Sequence, residues 1–330
     1  MLKLKLPLST NHRIACLTSF FVVHFGVLLL PLTVEAQIGK YTFSSIAKRS
    51  AECALVFGED ENRETISIDL CKTEEPKLKN LNSSAYVSSV NFTGLDSGFA
   101  LFGGQLLRIE NNRLKNVKGL PLDEDEIVFS QFIDPDRGCI SYSNGGVACT
   151  KNGAVTFQTF ETLSDVRPWN VSVNDRAVIL VGQTPPNELN GKVVNQIGSL
   201  DGKKLSLMPQ EFKQIWFSER GCYGLAVNQA NQLSATSDCG FIWNDMAKLD
   251  SRPDEIFILD ELNIWLFKDG VFHSKDGGRN WRKLATFASN EIVEKNDMVF
   301  VDSKHGWIAS LFRLFETKDG GATWKEVKLP

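Results

Sequence analysis

The chain has 330 residues, 42% of them hydrophobic and 23% charged, and a formal net charge of −4. Those values exclude a mainly disordered or collagen-like chain and give no ground for bulk binding to nucleic acid. The length suits one large domain or two medium ones, and seven Cys and seven Trp are the unusual counts.

Residues 1–36 have the layout of a targeting segment. Lys3, Lys5 and Arg13 supply a positive start, an apolar stretch runs from about Ile14 to Leu32, and Val34-Glu35-Ala36 offers small residues at −3 and −1 before Gln37. This is the pattern of a cleavable secretory signal; an uncleaved membrane anchor is the rival reading. Cys16 lies ahead of the apolar stretch, with Arg13 where a lipoprotein signal needs an apolar residue. Cleavage removes three positive charges and Glu35, taking the charge to −6 and leaving six Cys, an even number for an exported chain.

The remaining 294 residues, 37–330, read as a repeat. An apolar residue, a polar turn, a Gly and an apolar strand recur along the chain. The Gly slot falls at Gly98, Gly138, Ala177, Gly221, Ile264 and Gly306, at spacings of 40, 39, 44, 43 and 42. A divergent first copy sits near Glu52-Cys53, which makes seven units of about 42 residues. Lys72–Ser84 and Gln183–Lys192 are the longest irregular inserts. A box, full or degenerate, recurs in the same register. Around Arg108 to Lys115 only its spacing survives, Thr150–Phe157 keeps every slot with a milder residue, and Ser199-Leu-Asp201 keeps the first half. The last three units match [ST]-x-D-x-G-x-x-W in full: Thr236, Asp238, Gly240 and Trp243; Ser274, Asp276, Gly278 and Trp281; Thr317, Asp319, Gly321 and Trp324. Runs such as Met298–Val301, Trp307–Ser310, Leu314–Thr317 and Trp324–Val327 are strand-like. Four short strands per unit predict an all-β, seven-bladed β-propeller of four-stranded blades, with no internal domain boundary. Residues Gln37 to Ser45 are free to add a strand to the last blade.

The box is expected to be a turn between the third and fourth strands. Its hydroxyl and carboxylate bond nearby backbone N–H groups, its Gly takes backbone angles closed to other residues, and its Trp starts the outer strand. Asp238, Asp276 and Asp319 are therefore read as structural, not catalytic. The pattern resembles the Asp-box (BNR) repeat. Together with Phe300-Val-Asp302…Gly306-Trp307, it resembles the photosystem II assembly and stability factor family. That resemblance, over about residues 40–330, implies a non-enzymatic propeller that binds other proteins in a lumen or periplasm. The chain departs from the family in lacking a lipobox Cys and in its degenerate first four units.

The six remaining Cys form three local pairs, Cys53/Cys71, Cys139/Cys149 and Cys222/Cys239. Cys53, Cys139 and Cys222 are read at one slot on strand two, and Cys71 and Cys149 at one slot on strand three. The first two pairs then face each other across a hairpin, while Cys239 lies inside its box. A metal site is the rival, but no C-x-x-C occurs and only His273 and His305 follow the signal. No cofactor or metal is called for.

Sialidases and some glycosidases share this repeat, so an exported sialidase- or xyloglucanase-like hydrolase is the alternative function. The chain has no F-R-I-P arginine, only four Tyr (Tyr41, Tyr86, Tyr142, Tyr223), and no carboxylate pair singled out by spacing. Arg137, Arg176 and Arg220 precede the Gly slot in three successive units, so they form a candidate basic patch for an acidic or carboxylate-bearing partner. The plainer reading pairs them with Asp136, Asp175 and Glu219 as ordinary surface. The sequence thus points to an exported, monomeric, protein-binding scaffold or assembly factor.

Overall fold

The structure is a computed structural model that describes residues 40–81, 83–110, 113–121, 126–163, 166–184, 192–219, 221–287 and 297–329. All of them belong to the unit Ile38–Pro330, and the expected signal, residues 1–36, lies outside them. The described residues contain no helix. They form seven four-stranded antiparallel sheets, each built from four strands consecutive in sequence. The first blade is β1 (Tyr41–Lys48), β2 (Cys53–Asp60), β3 (Thr65–Cys71) and β4 (Lys77–Asn80). The last is β25 (Asp297–Phe300), β26 (Gly306–Ala309), β27 (Leu314–Thr317) and β28 (Lys325–Glu326). This is a seven-bladed β-propeller.

The core is a set of seams, not one central body. Seven buried apolar clusters are present, and each spans two neighbouring blades. Short hairpins cannot bury both faces of a sheet alone, so each blade does so against the next. An aromatic at the end of the inner strand lies over a glycine of strand two. Phe132 does so over Gly138, Phe217 over Gly224, and Phe300 over Gly306. A Cβ on those glycines would stand 2.2, 2.6 and 2.5 Å from the respective ring, so any side chain there forces the ring to shift. The ring then meets strand two of the preceding blade. Phe132 stacks on Phe99 at 3.6 Å, and Phe300 stacks on Trp265 at 4.0 Å. A further group covers the far side of each stack: Arg108 over Phe99 at 5.3 Å, and His273 on Trp265 at 4.3 Å.

Two expectations change. In the fifth blade the glycine under the aromatic is Gly224, not Gly221. The loop between β17 (Phe212–Phe217) and β18 (Gly224–Asn228) is longer than the unit spacing implied, so Gly221 and Cys222 lie in that loop and not on strand two. The segment through Ser45 does not extend the last blade either: β1 is the inner strand of the first. The last blade has its own outer strand, and the ring closes by packing. Tyr41, Phe43, Ile46 and Val56 meet Val299, Trp307 and Leu314. The Phe43 N–H donates to Leu311 O at 2.9 Å, and the Ile46 N–H to Asp297 Oδ2 at 3.1 Å. Lys72 staples the same seam, 2.6 Å from Asp302 and 3.3 Å from Glu52. Burial alone would raise the Asp302 pKa, but Lys72 and the N–H groups of His305 and Lys304 outweigh it and bring it to about 2.

Two outcomes follow from these contacts. Gly306→Ala drives a methyl into the Phe300 ring and should cost about 1–3 kcal/mol of unfolding free energy, read by denaturant titration. Asp302, depressed in the fold, stabilises above its unfolded value of about 4; that contribution drains away as pH falls toward about 2. Lys72→Met should therefore flatten the acid limb by lowering its neutral end, modestly because part-exposed pairs are weak, while stability near pH 2 changes little.

Candidate functional site

The inner strands β1, β5 (Val87–Gly94), β9 (Ile127–Phe132), β13 (Arg167–Val173), β17, β21 (Glu255–Ile258) and β25 line a central channel of about 960 Å³. Its wall carries aromatics (Phe92, Phe129, Trp216, Phe257), amides (Asn91, Asn170) and the carboxylates Glu255 and Asp297. Asn91 and Asn170 are glycosylation sequons by sequence, but their place on inner strands keeps them from a glycosylating enzyme once the ring has closed.

Glu255 and Asp297 open the inner strands of neighbouring blades at equivalent register, opposite Phe267 and Ala309. Burial and the charge of Asp297 push the Glu255 carboxyl well above the usual carboxylate range, against a hydrogen bond from Trp216 and the Ile256 N–H. The sequence reading missed this pair. The signal that finds it is the repeat itself, because the two acids stand one 42-residue unit apart.

One mouth of the channel is ringed by the loops joining first and second strands, and the boxes lie on that same face. Lys48, at the end of β1, meets Glu219, just after β17, at 3.1 Å. This pair joins the first and fifth blades across the mouth. Beside it lies a second hollow of about 350 Å³, lined by Asp134, Arg137, Asp175, Glu219 and Gly221 among others. Five large apolar side chains stand exposed on the loops and boxes of this face: Leu95, Val155, Phe241, Ile242 and Leu262.

The three arginines do not share one position. Arg137 donates to Asp134 Oδ2 at 2.6 Å and to Asp175 Oδ1 at 3.0 Å, so it bridges the third and fourth blades; its sequence neighbour Asp136 is not its partner. The carbonyl of Arg137 accepts the Ile133 N–H, and the residues whose carbonyls accept the matching bond are Ala177 in the fourth blade and Tyr223 in the fifth. Arg176 therefore stands one residue before the matching position, with its guanidinium 5.8 Å from the Phe241 ring centre. Arg220 lies outside the described residues.

Each full box folds into the same turn. Thr236 Oγ1 accepts the Gly240 N–H at 3.0 Å and bonds Asp238 Oδ1 at 2.8 Å, and Asp238 accepts the Ile242 N–H at 2.9 Å. Ser274 and Asp276 repeat this with the N–H groups of Gly278 and Asn280, and Thr317 and Asp319 with those of Gly321 and Thr323. Thr150 and Asn152 do the same in the third blade. The Asn280 side chain and N–H, with the Ser274 hydroxyl, hold Asp276 down at about 2. Trp243 and Trp324 donate their indole N–H back to Gly240 and Gly321. Trp281 packs into the seam between the fifth and sixth blades. All three Trp directly precede their outer strands.

The six cysteines form the disulfides Cys53–Cys71, Cys139–Cys149 and Cys222–Cys239. The first two join register partners on strands two and three. Three disulfides suit an oxidising, extracytoplasmic compartment.

No family model matches the sequence, and no curated protein sequence does. Solved structures match throughout the ring. YCF48 from Cyanidioschyzon merolae aligns with a TM-score of 0.60 at 12% identity, covering 85% of this chain and 96% of that one. YCF48 bound to a D1 peptide aligns with 0.62 at 10%, covering 85% and 94%. The GH74 enzyme of Niastella koreensis aligns with 0.55 at 11%, covering 86% of this chain but 59% of its own. These likenesses establish the fold, which binding propellers and hydrolases share.

The turn chemistry is testable at Thr317, which is buried. Thr317→Val keeps the shape but strands the buried Gly321 N–H, and should lower stability by about 1–3 kcal/mol in chemical denaturation.

Proposed function

We propose that the chain is an exported, monomeric, non-enzymatic propeller that binds a partner protein through the box face, in the manner of an assembly or stability factor. The carrying observation is that five of the nine exposed large apolar side chains among the described residues, Leu95, Val155, Phe241, Ile242 and Leu262, stand on the loops and boxes of that face. Exposed apolar side chains gathered on one face mark association surfaces. Arg176, with its guanidinium over the Phe241 ring, and Arg137 supply the cationic part of that face and fit a carboxylate-bearing segment. The YCF48 structure bound to a D1 peptide supports the reading, because that protein of similar fold takes a peptide partner. Export through a cleaved signal at 1–36 accords with the three disulfides, and the boxes act as structural turns.

Hydrolysis of a polysaccharide is the second reading, favoured by the two channel carboxylates Glu255 and Asp297. One comparison separates them. Crosslinking pull-down from the native envelope should capture a protein with the mature chain and lose it with the Phe241→Asp/Ile242→Asp/Leu262→Asp variant, while Glu255→Gln retains it. Capture that survives the triple change overturns the binding face. Sugar release by the mature chain that Glu255→Gln abolishes establishes the hydrolase instead.

A further inference from the structure

The two channel carboxylates belong to a wider pattern. Asn170, Gln214, Glu255 and Asp297 each stand three residues before Val173, Phe217, Ile258 and Phe300, the inner-strand residues that pair with the first rung of strand two in their blades. Four successive blades, the fourth to the seventh, therefore carry an oxygen-bearing side chain at one height. That height lies toward the end of the channel opposite the boxes, where the inner strands begin. Side chains two residues apart share a face of a strand. Trp216 thus follows Gln214 on one face of β17, Phe257 follows Glu255 on one face of β21, and both aromatics line the channel.

The inner strands hold more acceptors than donors. Gln214 Oε1 and, in the second blade, Asn91 Oδ1 are buried and receive no hydrogen bond among the described residues. Both orphaned atoms are oxygens, and a buried acceptor without a donor is costly. Glu255 receives the Trp216 indole and the Ile256 N–H, and Asp297 the Ile46 N–H. Among the described lining residues the cations are Lys48 and Arg49, at the box end of β1; Glu219 holds the first, and Asp69 and Asp96 the second. The charges that bear on Glu255 are Asp297 on the neighbouring blade and Asp254 just before its own strand. Lys268 lies 4.0 Å from Asp254, and Lys213 on β17 stands over the Trp169 ring.

We propose that the end of the channel opposite the boxes is a binding site for a protonated primary amine, the side chain of a lysine or a free polyamine. An ammonium brings N–H donors and a positive charge together, which suits Glu255, Asp297 and the orphaned oxygen of Gln214. Trp216 and Phe257 flank its methylenes and attract the charge. A channel of about 960 Å³ admits an extended alkylammonium chain. Calcium fits less well, because it takes about six to eight oxygens and an aromatic wall supplies none. Burial and the charge of Asp297 favour the proton on Glu255. An ammonium favours the carboxylate, so uptake displaces that proton and tightens as pH rises. This site stands apart from the box face and gives the two carboxylates a binding task in place of hydrolysis.

The test is isothermal titration calorimetry of the mature chain with Nα-acetyl-lysine methylamide and with spermidine. At least one amine should bind, more tightly at about pH 8 than at about pH 6. Its heat should change with the ionisation enthalpy of the buffer, the mark of a displaced proton. This readout uses the unaltered chain and holds whether or not a variant folds. Glu255→Gln/Asp297→Asn should weaken binding at least tenfold, while Glu75→Gln, at an exposed site, leaves it unchanged. Nα,Nε-diacetyl-lysine methylamide, which lacks the charge, should not bind. Tighter binding of the lysine amide assigns the site to a lysine of a partner, and tighter binding of spermidine to a free polyamine. Failure of both amines to bind overturns the site, as does binding that the double variant keeps in full. Calcium chloride that binds where both amines fail assigns a metal site and overturns the amine.

Discussion

Packing across the seam between neighbouring blades is the constraint on which everything else in this ring depends. Each hairpin sheet is too small to bury its own faces, and seven clusters, one per seam, do the work of a core. The aromatic over the glycine sets how close two blades come. Phe300 lies flat on Gly306 and stacks on Trp265, and Trp265 in turn donates its N–H to Gly320 O in the next box. Stack, strand and turn are therefore one interlocked unit, repeated with variation around the ring.

Closing the ring fixes where chemistry can be placed. Inner strands give a channel whose wall mixes aromatics, amides and two carboxylates, and the loops after them form its rim. The boxes sit on that same face because first-to-second and third-to-fourth connections leave a blade at one end. The rim thus has rigid turns beneath it and ion pairs across it: Arg49 with Asp96, Arg137 with Asp175, and Lys48 with Glu219. Those between neighbouring blades reinforce seams that packing already holds. The last spans the opening, joining two blades that are not neighbours in the ring.

The architecture was legible in the sequence because its causes are local. A left-handed glycine, a hydroxyl and a carboxylate define each full box turn within eight residues, and the recurring slot ahead of strand two, at spacings of 39 to 44 residues, counts the blades. Cys53–Cys71 and Cys139–Cys149 were legible for the same reason, since a hairpin places them opposite each other. What failed was equivalence across loops of unequal length. Gly221 matched the spacing, but it is Gly224 that lies under Phe217, and in the fourth blade Val178, not Ala177, pairs with the last inner-strand residue, so Arg137 and Arg176 do not share a position. Glu255 and Asp297 escaped notice because isolated acids on short strands look like surface; only their register on adjoining inner strands brings them to one wall. The pairing of Lys48 with Glu219, 171 residues apart, exists only once the ring is closed.

The central claim is that the box face is the working face. Crosslinking mass spectrometry on the mature chain in its native envelope tests it directly, because lysines mark both candidate surfaces. Lys275, Lys304 and Lys318 stand on the boxes and loops of that face, and Lys77, Lys115 and Lys283 on outer strands. The account predicts crosslinks to one partner protein concentrated on the first set. Crosslinks confined to the outer-strand lysines would contradict it.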